Sequence, residues 1–273
     1  MPTNKQRRQA AQRRLQRQLE RREQLARKRR TRLLIGVTAV AVLAVVAAAL
    51  VISGLGGGSS DNTAAAASPT TGSATAAPAG QTTVAGPCTY TTDGTASAGV
   101  AVTPPSGDIA TTGTLALTMT TNAGAIGLNL DRATATCAAA SFESLTQQGY
   151  FDGTPCHRET DSAALKVLQC GDPSGSGTGG PGFTYPTQVT GSETYPRGTL
   201  AMANSGQGTD GSQFFLVYGD SQLPPNYTVV GTIDEPGLAV LDTIAANGND
   251  GSNGANDGKP TQPVTITTMT LAQ

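Results

Sequence analysis

The chemistry open to this chain rests on few reactive side chains: one histidine, four cysteines and two glycine-rich runs. Cys88, Cys137, Cys156 and Cys170 are separated by 49, 19 and 14 residues, and His157 is the sole histidine. A zinc site needs closely spaced thiolate and imidazole ligands, so this spacing argues against one. A Ser-His-Asp triad would have to use His157, yet no Gly-x-Ser-x-Gly elbow is present. His157 therefore reads as a structural or pocket-lining group. Gly175, Gly177 and Gly180 match G-x-G-x-x-G, but a dinucleotide site needs a helix next, and Pro181 follows instead. Residues 247–258 (NGNDGSNGANDG) resemble a calcium loop without its spaced carboxylates or closing Glu, and read as an exposed turn. An even cysteine count suits two disulfides in an oxidising compartment. Three connectivities are open. Cys156 and Cys170 flank a hairpin pattern, which favours that pair and leaves Cys88 with Cys137; four reduced, buried thiols are the alternative.

The elements that must position these residues are mostly short strands. Residues 114–120 alternate, with Leu115, Leu117 and Met119 on one face. Thr121–Gly124 reads as a turn, and residues 125–130 resume the alternation with Ile126, Leu128 and Leu130, a hairpin signal. Further strands are expected at 165–170, 198–203, 213–218, 227–233 and 264–271. Helices are expected at 133–148, ending at Gly149, and at 236–246, with Pro236 at its start and Gly248 past its end. Many short strands and two helices predict a mostly β fold: a closed antiparallel barrel with helical plugs.

Charge divides the chain. Residues 1–32 hold 13 of the 18 basic residues and two acidic ones, a net +11. The remainder holds 5 basic and 17 acidic residues, a net −12, which argues against a nucleic-acid-binding main domain. Gly plus Pro is about 18 % of the chain, below the roughly 25–30 % of wholesale disorder. Residues 33–53 are 21 residues without a charge, about 31 Å as a helix, enough to cross a bilayer core of about 30 Å. They are too long for a signal-peptide apolar region and follow a long basic flank. The positive-inside rule puts residues 1–32 in the cytoplasm as a basic tail near anionic lipid, and everything after the span outside. Residues 54–85 are low in complexity and lack aromatics, so a flexible linker is expected there, with one domain over 86–273.

Three stretches in order resemble a cyclophilin-type peptidyl-prolyl cis-trans isomerase. They are FDGTPCHRE (151–159) with VLQCGDPSGSGTGG (167–180), then GTLAMANSGQGTDGSQFFLVY (198–218), then YTVVGTI (227–233). The resemblance covers about residues 110–271, and MAN followed by a Gly-rich loop and GSQFF is its most specific part. The whole plan is similar to membrane-tethered cyclophilins of Gram-positive bacteria with GC-rich genomes. The resemblance implies an eight-stranded antiparallel barrel capped by two helices, and X-Pro isomerisation without cofactor or metal. Proline-containing polypeptides are the implied partners of a monomeric enzyme.

Carried over residue by residue, Arg158 matches the family's arginine, which stabilises the pyramidal proline nitrogen of a twisted amide. Gln169 matches the glutamine that orients that arginine or contacts the substrate carbonyl. Met202, Ala203 and Asn204 match the edge that holds the peptide backbone, with Asn204 grouped with the catalytic residues. Gln213 and Phe215 match the pocket wall, with Phe215 under the proline ring. His157, Leu223 and Tyr227 complete the substrate-binding set, and Gly177–Gly180 (GTGG) match a loop beside the groove. Departures are visible. Three extra residues lie between Arg158 and Gln169, and Lys166 replaces an expected aromatic, leaving Val167 and Leu165 to complete the pocket. Gln222 stands where many members have a tryptophan that helps bind cyclosporin. An extracytoplasmic foldase for exported proteins is the function implied. A non-catalytic proline-peptide-binding module or chaperone is the alternative, and a tethered structural or adhesion protein a third reading.

Overall fold

A computed structural model of the chain describes residues 80–94, 102–206 and 208–272. The basic tail at 1–32, the span at 33–53 and linker residues 54–79 lie outside the described residues. No helix among the described residues is long and apolar enough to cross a membrane.

The chain runs β1 (Thr82–Ala85), β2 (Cys88–Thr92), β3 (Thr114–Thr121), β4 (Gly124–Asp131), α1 (Thr136–Gln147), β5 (Thr154–Cys156), β6 (Arg158–Ser162) and β7 (Leu165–Cys170). It continues with β8 (Phe183–Pro186), β9 (Thr199–Met202), β10 (Thr209–Asp210), β11 (Phe214–Gly219), β12 (Val229–Ile233), α2 (Glu235–Ala245), β13 (Asp257–Gly258) and β14 (Val264–Leu271). Residues 82–85, expected at the end of the linker, pair with β2 as β1. Ala85 is buried there, which a solvated linker would not allow.

Ten strands form one sheet in the order β13-β6-β7-β11-β9-β12-β4-β3-β14-β5, and four form a second, β1-β2-β8-β10. The fold is mostly β with two helices, but the ladder departs from the expected eight-stranded closed barrel. Its end strands, β13 and β5, are not paired with each other. The chain turns a corner at His157, between β5 and β6. There the His157 N–H donates to the Gln169 carbonyl, and the Cys156–Cys170 disulfide joins β5 to β7. The second disulfide is Cys88–Cys137. The favoured pairing is thus the one found.

The β3–β4 hairpin forms because alternation puts Leu115, Leu117, Met119, Ile126, Leu128 and Leu130 on one buried face. Fully burying such a side chain is worth about 1.5–3 kcal/mol. The core continues through Phe142 of α1, which packs on Phe151 and Phe214 with ring centroids 5.5 and 5.1 Å away. Tyr90 meets Phe183 and Tyr185 edge-on, tying the small sheet to that core.

The helices begin by different means. Asp234 caps α2 by accepting from the Gly237 N–H at 2.8 Å, with Pro236 in the first turn. The same carboxylate accepts from the Gly127 N–H of β4, so it also docks the helix on the sheet. No side-chain cap of its own starts α1. Instead Gln188 Oε1, some fifty residues on, accepts from the N–H groups of Cys137 and Ala138.

Candidate active site

Sheet register builds the site. Arg158 on β6 stands opposite Gln169 on β7. Gln169 stands opposite Phe215 on β11. Phe215 faces Ala201 on β9, and Ala201 faces Val229 on β12. Directly opposite residues share a sheet face, so one row across five strands carries a cation, an amide, an aromatic ring and small apolar floor residues.

The apolar part of this row is a cluster separate from the main core. Val167, Tyr195, Ala201, Phe215 and Val217 are buried in it, with Leu165, Ala203, Leu223, Tyr227 and Val229 half-buried around it. Phe215, Tyr195 and Tyr227 form a triangle of rings with centroids 5.5–6.2 Å apart. The Tyr195 hydroxyl donates to the Tyr227 carbonyl and accepts from the Tyr227 N–H, which fixes one wall of the pocket.

The polar part is a chain of hydrogen bonds. Arg158 Nε and Nη2 donate to Oδ1 and Oδ2 of Asp257 at 2.8 and 2.7 Å. Arg158 Nη1 donates to Gln169 Oε1 at 3.2 Å. Gln169 Nε2 donates to Gln213 Oε1, and Gln213 Nε2 donates to the carbonyls of Gly177 and Gly179. Arginine has donors only, so it fixes which end of Gln169 faces it, and that orientation propagates to Gln213. From the other side, Asp172 accepts from the N–H groups of Gly177 and Gly179. Burial raises the Asp172 pKa, but bonds from Ser174, Gly179 and Gly177 outweigh it and hold the carboxyl below its ordinary value. Gly177 has φ +80°, and a Cβ there would lie 3.4 Å from the His157 ring. Only glycine suits that close, left-handed turn.

Beside Gln169 and Gln213 lies a cavity of about 420 Å³, bordered by the Gly177–Gly180 loop, Ala203, Asn204 and Asp210. Burial pushes the Asp210 carboxyl up to about 6, against bonds from Thr228 and Asn204. Among the described residues no group of three or more His, Cys, Asp or Glu could hold a metal ion.

Residues 116–271, more than half of the chain, match the family described as cyclophilin type peptidyl-prolyl cis-trans isomerase/CLD. The chain belongs to this family. A protein of Mycobacterium leprae (strain TN) named "Probable peptidyl-prolyl cis-trans isomerase B" is 51 % identical over 296 residues, 99 % of this chain and 100 % of that protein. A protein of the same name from Mycobacterium tuberculosis (strain ATCC 25618 / H37Rv) is 53 % identical over 169 residues, 58 % of this chain and 54 % of that protein. Among solved structures, a Cryptosporidium parvum cyclophilin type peptidyl-prolyl cis-trans isomerase is similar at TM-score 0.51 and 27 % identity, over 59 % of this chain and 99 % of that one. The same protein in the presence of the dipeptide Ala-Pro gives TM-score 0.50.

The cyclophilin domain brings most of the expected residues together. Arg158, Gln169 and Gln213 lie in the hydrogen-bond chain, and Val167, Ala203, Phe215, Leu223 and Tyr227 in the apolar cluster. Met202 does not join them. It is 1 % exposed and packs in the main core with Leu200, because strand alternation turns Ala201 and Ala203, not Met202, to the groove. The Asn204 side chain is occupied structurally: its Nδ2 donates to the Asn226 carbonyl and its Oδ1 accepts from Gly206 N–H. His157 lies buried behind the glycine loop, not on the cavity wall. Burial lowers its pKa, Asp172 opposes this and Arg158 adds to it, so the ring is neutral at neutral pH. Lys166 turns away from Val167 and pairs with Asp161 at 2.8 Å. Two site residues carried no sequence signal, Tyr195 and Asp257. The run holding Asp257 was expected as an exposed turn, yet that residue is the ion-pair partner of Arg158.

Proposed function

We propose that the domain interconverts cis and trans X-Pro bonds of exported polypeptides outside the cytoplasmic membrane, tethered there by residues 33–53 and acting as a monomer. The observation that carries the catalytic part is the Arg158 guanidinium, oriented on two sides and standing beside an apolar pocket floored by Phe215.

The barrier to be lowered is about 18–20 kcal/mol, because the peptide C–N bond has partial double-bond character. No bond is made or broken, so catalysis needs a site that binds the twisted amide better than either planar form. The ring of proline enters the Phe215 pocket and is held there by apolar contact. As the acyl part turns, conjugation is lost and the proline nitrogen gains a localised lone pair. Three of the five guanidinium N–H groups of Arg158 are used by Asp257 and Gln169. Two N–H groups remain, one on each terminal nitrogen, and donate to that lone pair. A donor already fixed in place costs no reorganisation when the charge develops. Residues preceding the proline lie along Ala203 and reach the cavity beside Gln213.

Location and clients rest on the charge and hydropathy of residues 1–53. The test is protease treatment of intact spheroplasts expressing the full chain, together with a proline-limited refolding assay. Loss of the domain to external protease and faster refolding are expected. A protected domain would overturn the topology, and unchanged refolding would overturn the foldase role.

A further inference from the structure

We infer that Asp257 is a positioning residue of the isomerase reaction, acting through Arg158; this rests on the catalytic role proposed for Arg158. The Arg158–Asp257 pair is half-exposed, at 32 and 28 % of the side-chain surfaces. Both partners keep access to solvent, which screens the pair and limits what it adds to folding. Its geometry is more specific than stability needs. A carboxylate that takes Nε and Nη2 together fixes both the position and the plane of the guanidinium. Gln169 alone holds one nitrogen at 3.2 Å and would leave the group free to rotate.

The segment around Asp257 is built to present that carboxylate. Asp257 pairs with Thr160 of β6, two residues from Arg158 and on the same face of the strand. Asn253 donates from Nδ2 to Asp257 Oδ1 and from its N–H to the Asp257 carbonyl. Asn256, immediately before, has φ +61°, the only positive-φ residue other than glycine among the described residues. That left-handed turn lets the Asn256 carbonyl accept from the Asp161 N–H of β6 while Asp257 turns to Arg158. Asp250 Oδ1 accepts from the N–H groups of Ser252 and Lys259, closing the base of the loop. Among the described residues, the Asn/Asp/Gly run therefore acts as a scaffold across β6 from the groove. The Arg158 bond is the main cause holding the Asp257 carboxyl below its ordinary value, which favours the charged pair.

The test uses the full chain with Asp257→Ala, Asp257→Asn and Arg158→Ala, alone and combined. Rates are read on an Ala-Pro peptide by NMR exchange, with melting temperatures and the guanidinium N–H resonances of Arg158. Asp257→Ala is expected to lower kcat about 10-fold while KM stays within about twofold, because the donor is misaimed and the proline pocket is intact. Asp257→Asn, which keeps one acceptor, should lie between. Melting temperatures should stay within about 3 °C. In the Arg158→Ala background, Asp257→Ala should cost nothing further. Loss of the slowly exchanging Arg158 Nε–H signal in Asp257→Ala together with the fall in kcat would show the positioning directly, whereas a lost signal with an unchanged rate would overturn the inference. An unchanged Nε–H signal with an unchanged rate would overturn the inference, as would an additive loss in the Arg158→Ala background. If Arg158→Ala itself kept full activity, the catalytic reading of Arg158 would fail instead.

Discussion

Gln169 Nε2 donates to Gln213 Oε1 at 2.9 Å, joining β7 to the loop before β11 across 44 residues of sequence. Through this bond the residue that orients Arg158 is tied to the loop that borders the neighbouring cavity. The Arg158 side of the groove and the cavity beside the Gly177–Gly180 loop thereby share one hydrogen-bond system.

That coupling is measurable. Gln213→Ala should weaken binding of peptides that fill the cavity and also lower the rate on a minimal Ala-Pro peptide, about tenfold together. A double-mutant cycle between Gln169→Ala and Gln213→Ala should give a coupling energy of about 1 kcal/mol. Strict additivity would show that the two amides act separately.

The two disulfides should differ in what they protect. Cys88–Cys137 ties β2 to α1, where Tyr90 also donates to the Cys137 carbonyl, far along the chain from Arg158 and Gln169. Cys156–Cys170 is adjacent in sequence to His157–Arg158 on one side and Gln169 on the other. Removing either natural crosslink should cost about 2–5 kcal/mol. Replacing Cys88 and Cys137 by Ser should lower the melting temperature and leave kcat of the folded protein intact. Replacing Cys156 and Cys170 should lower kcat as well, because the lost crosslink sits one residue from His157 and from Gln169. Equal kinetic effects of both pairs would contradict this.

Glu159 gives a pH dependence of stability. It is fully buried on β6, neither carboxylate oxygen has a hydrogen-bond partner, and burial, with Asp161 nearby, pushes its pKa up to about 7. A folded-state pKa above the unfolded value of 4.5 means that the folded protein holds the extra proton between those two pH values. Stability therefore falls as pH rises from about 4.5 to 7 and is flat above, by an amount on the order of 2–3 kcal/mol. Asp210 acts in the same direction below about 6. Glu159→Leu should raise the melting temperature at pH 8 and flatten this slope; chemical denaturation at pH 5 and pH 8 measures both.

The α1 start offers a stability test away from the site. Gln188→Ala removes the acceptor for two helix N–H groups and should cost about 1 kcal/mol, read as a lower denaturation midpoint with unchanged peptide kinetics.

How much of this was legible in the sequence follows from where the determining contacts lie. The β3–β4 hairpin was readable because its alternation and turn are local. The α2 helix was readable because Pro236 and the residues after it mark its ends. β6 was not, because its residues RETDS are polar and its strand state depends on β7 and β13. β1, β2 and β8 belong to a sheet assembled from distant segments, and only pairing defines them. The motif stretches name Arg158, Gln169 and Phe215, which strand register lines up across β6, β7 and β11, and Gln213, which a hydrogen bond ties to Gln169. Met202 was misplaced because a motif match does not state which face a strand residue takes. Tyr195 and Asp257 reach the site through tertiary contacts alone, and nothing near them in sequence announces it.

The central claim is that a fixed Arg158 donor stabilises the twisted prolyl amide. The most direct measurement is cis–trans exchange of an Ala-Pro peptide with the full chain and with Arg158→Ala, at matched folded concentration. Fast exchange is expected of the wild type and a fall of about 100-fold or more in Arg158→Ala, with peptide binding and melting temperature little changed. Exchange that survives the substitution would contradict the mechanism, and no exchange by the folded wild type would contradict the catalytic reading itself.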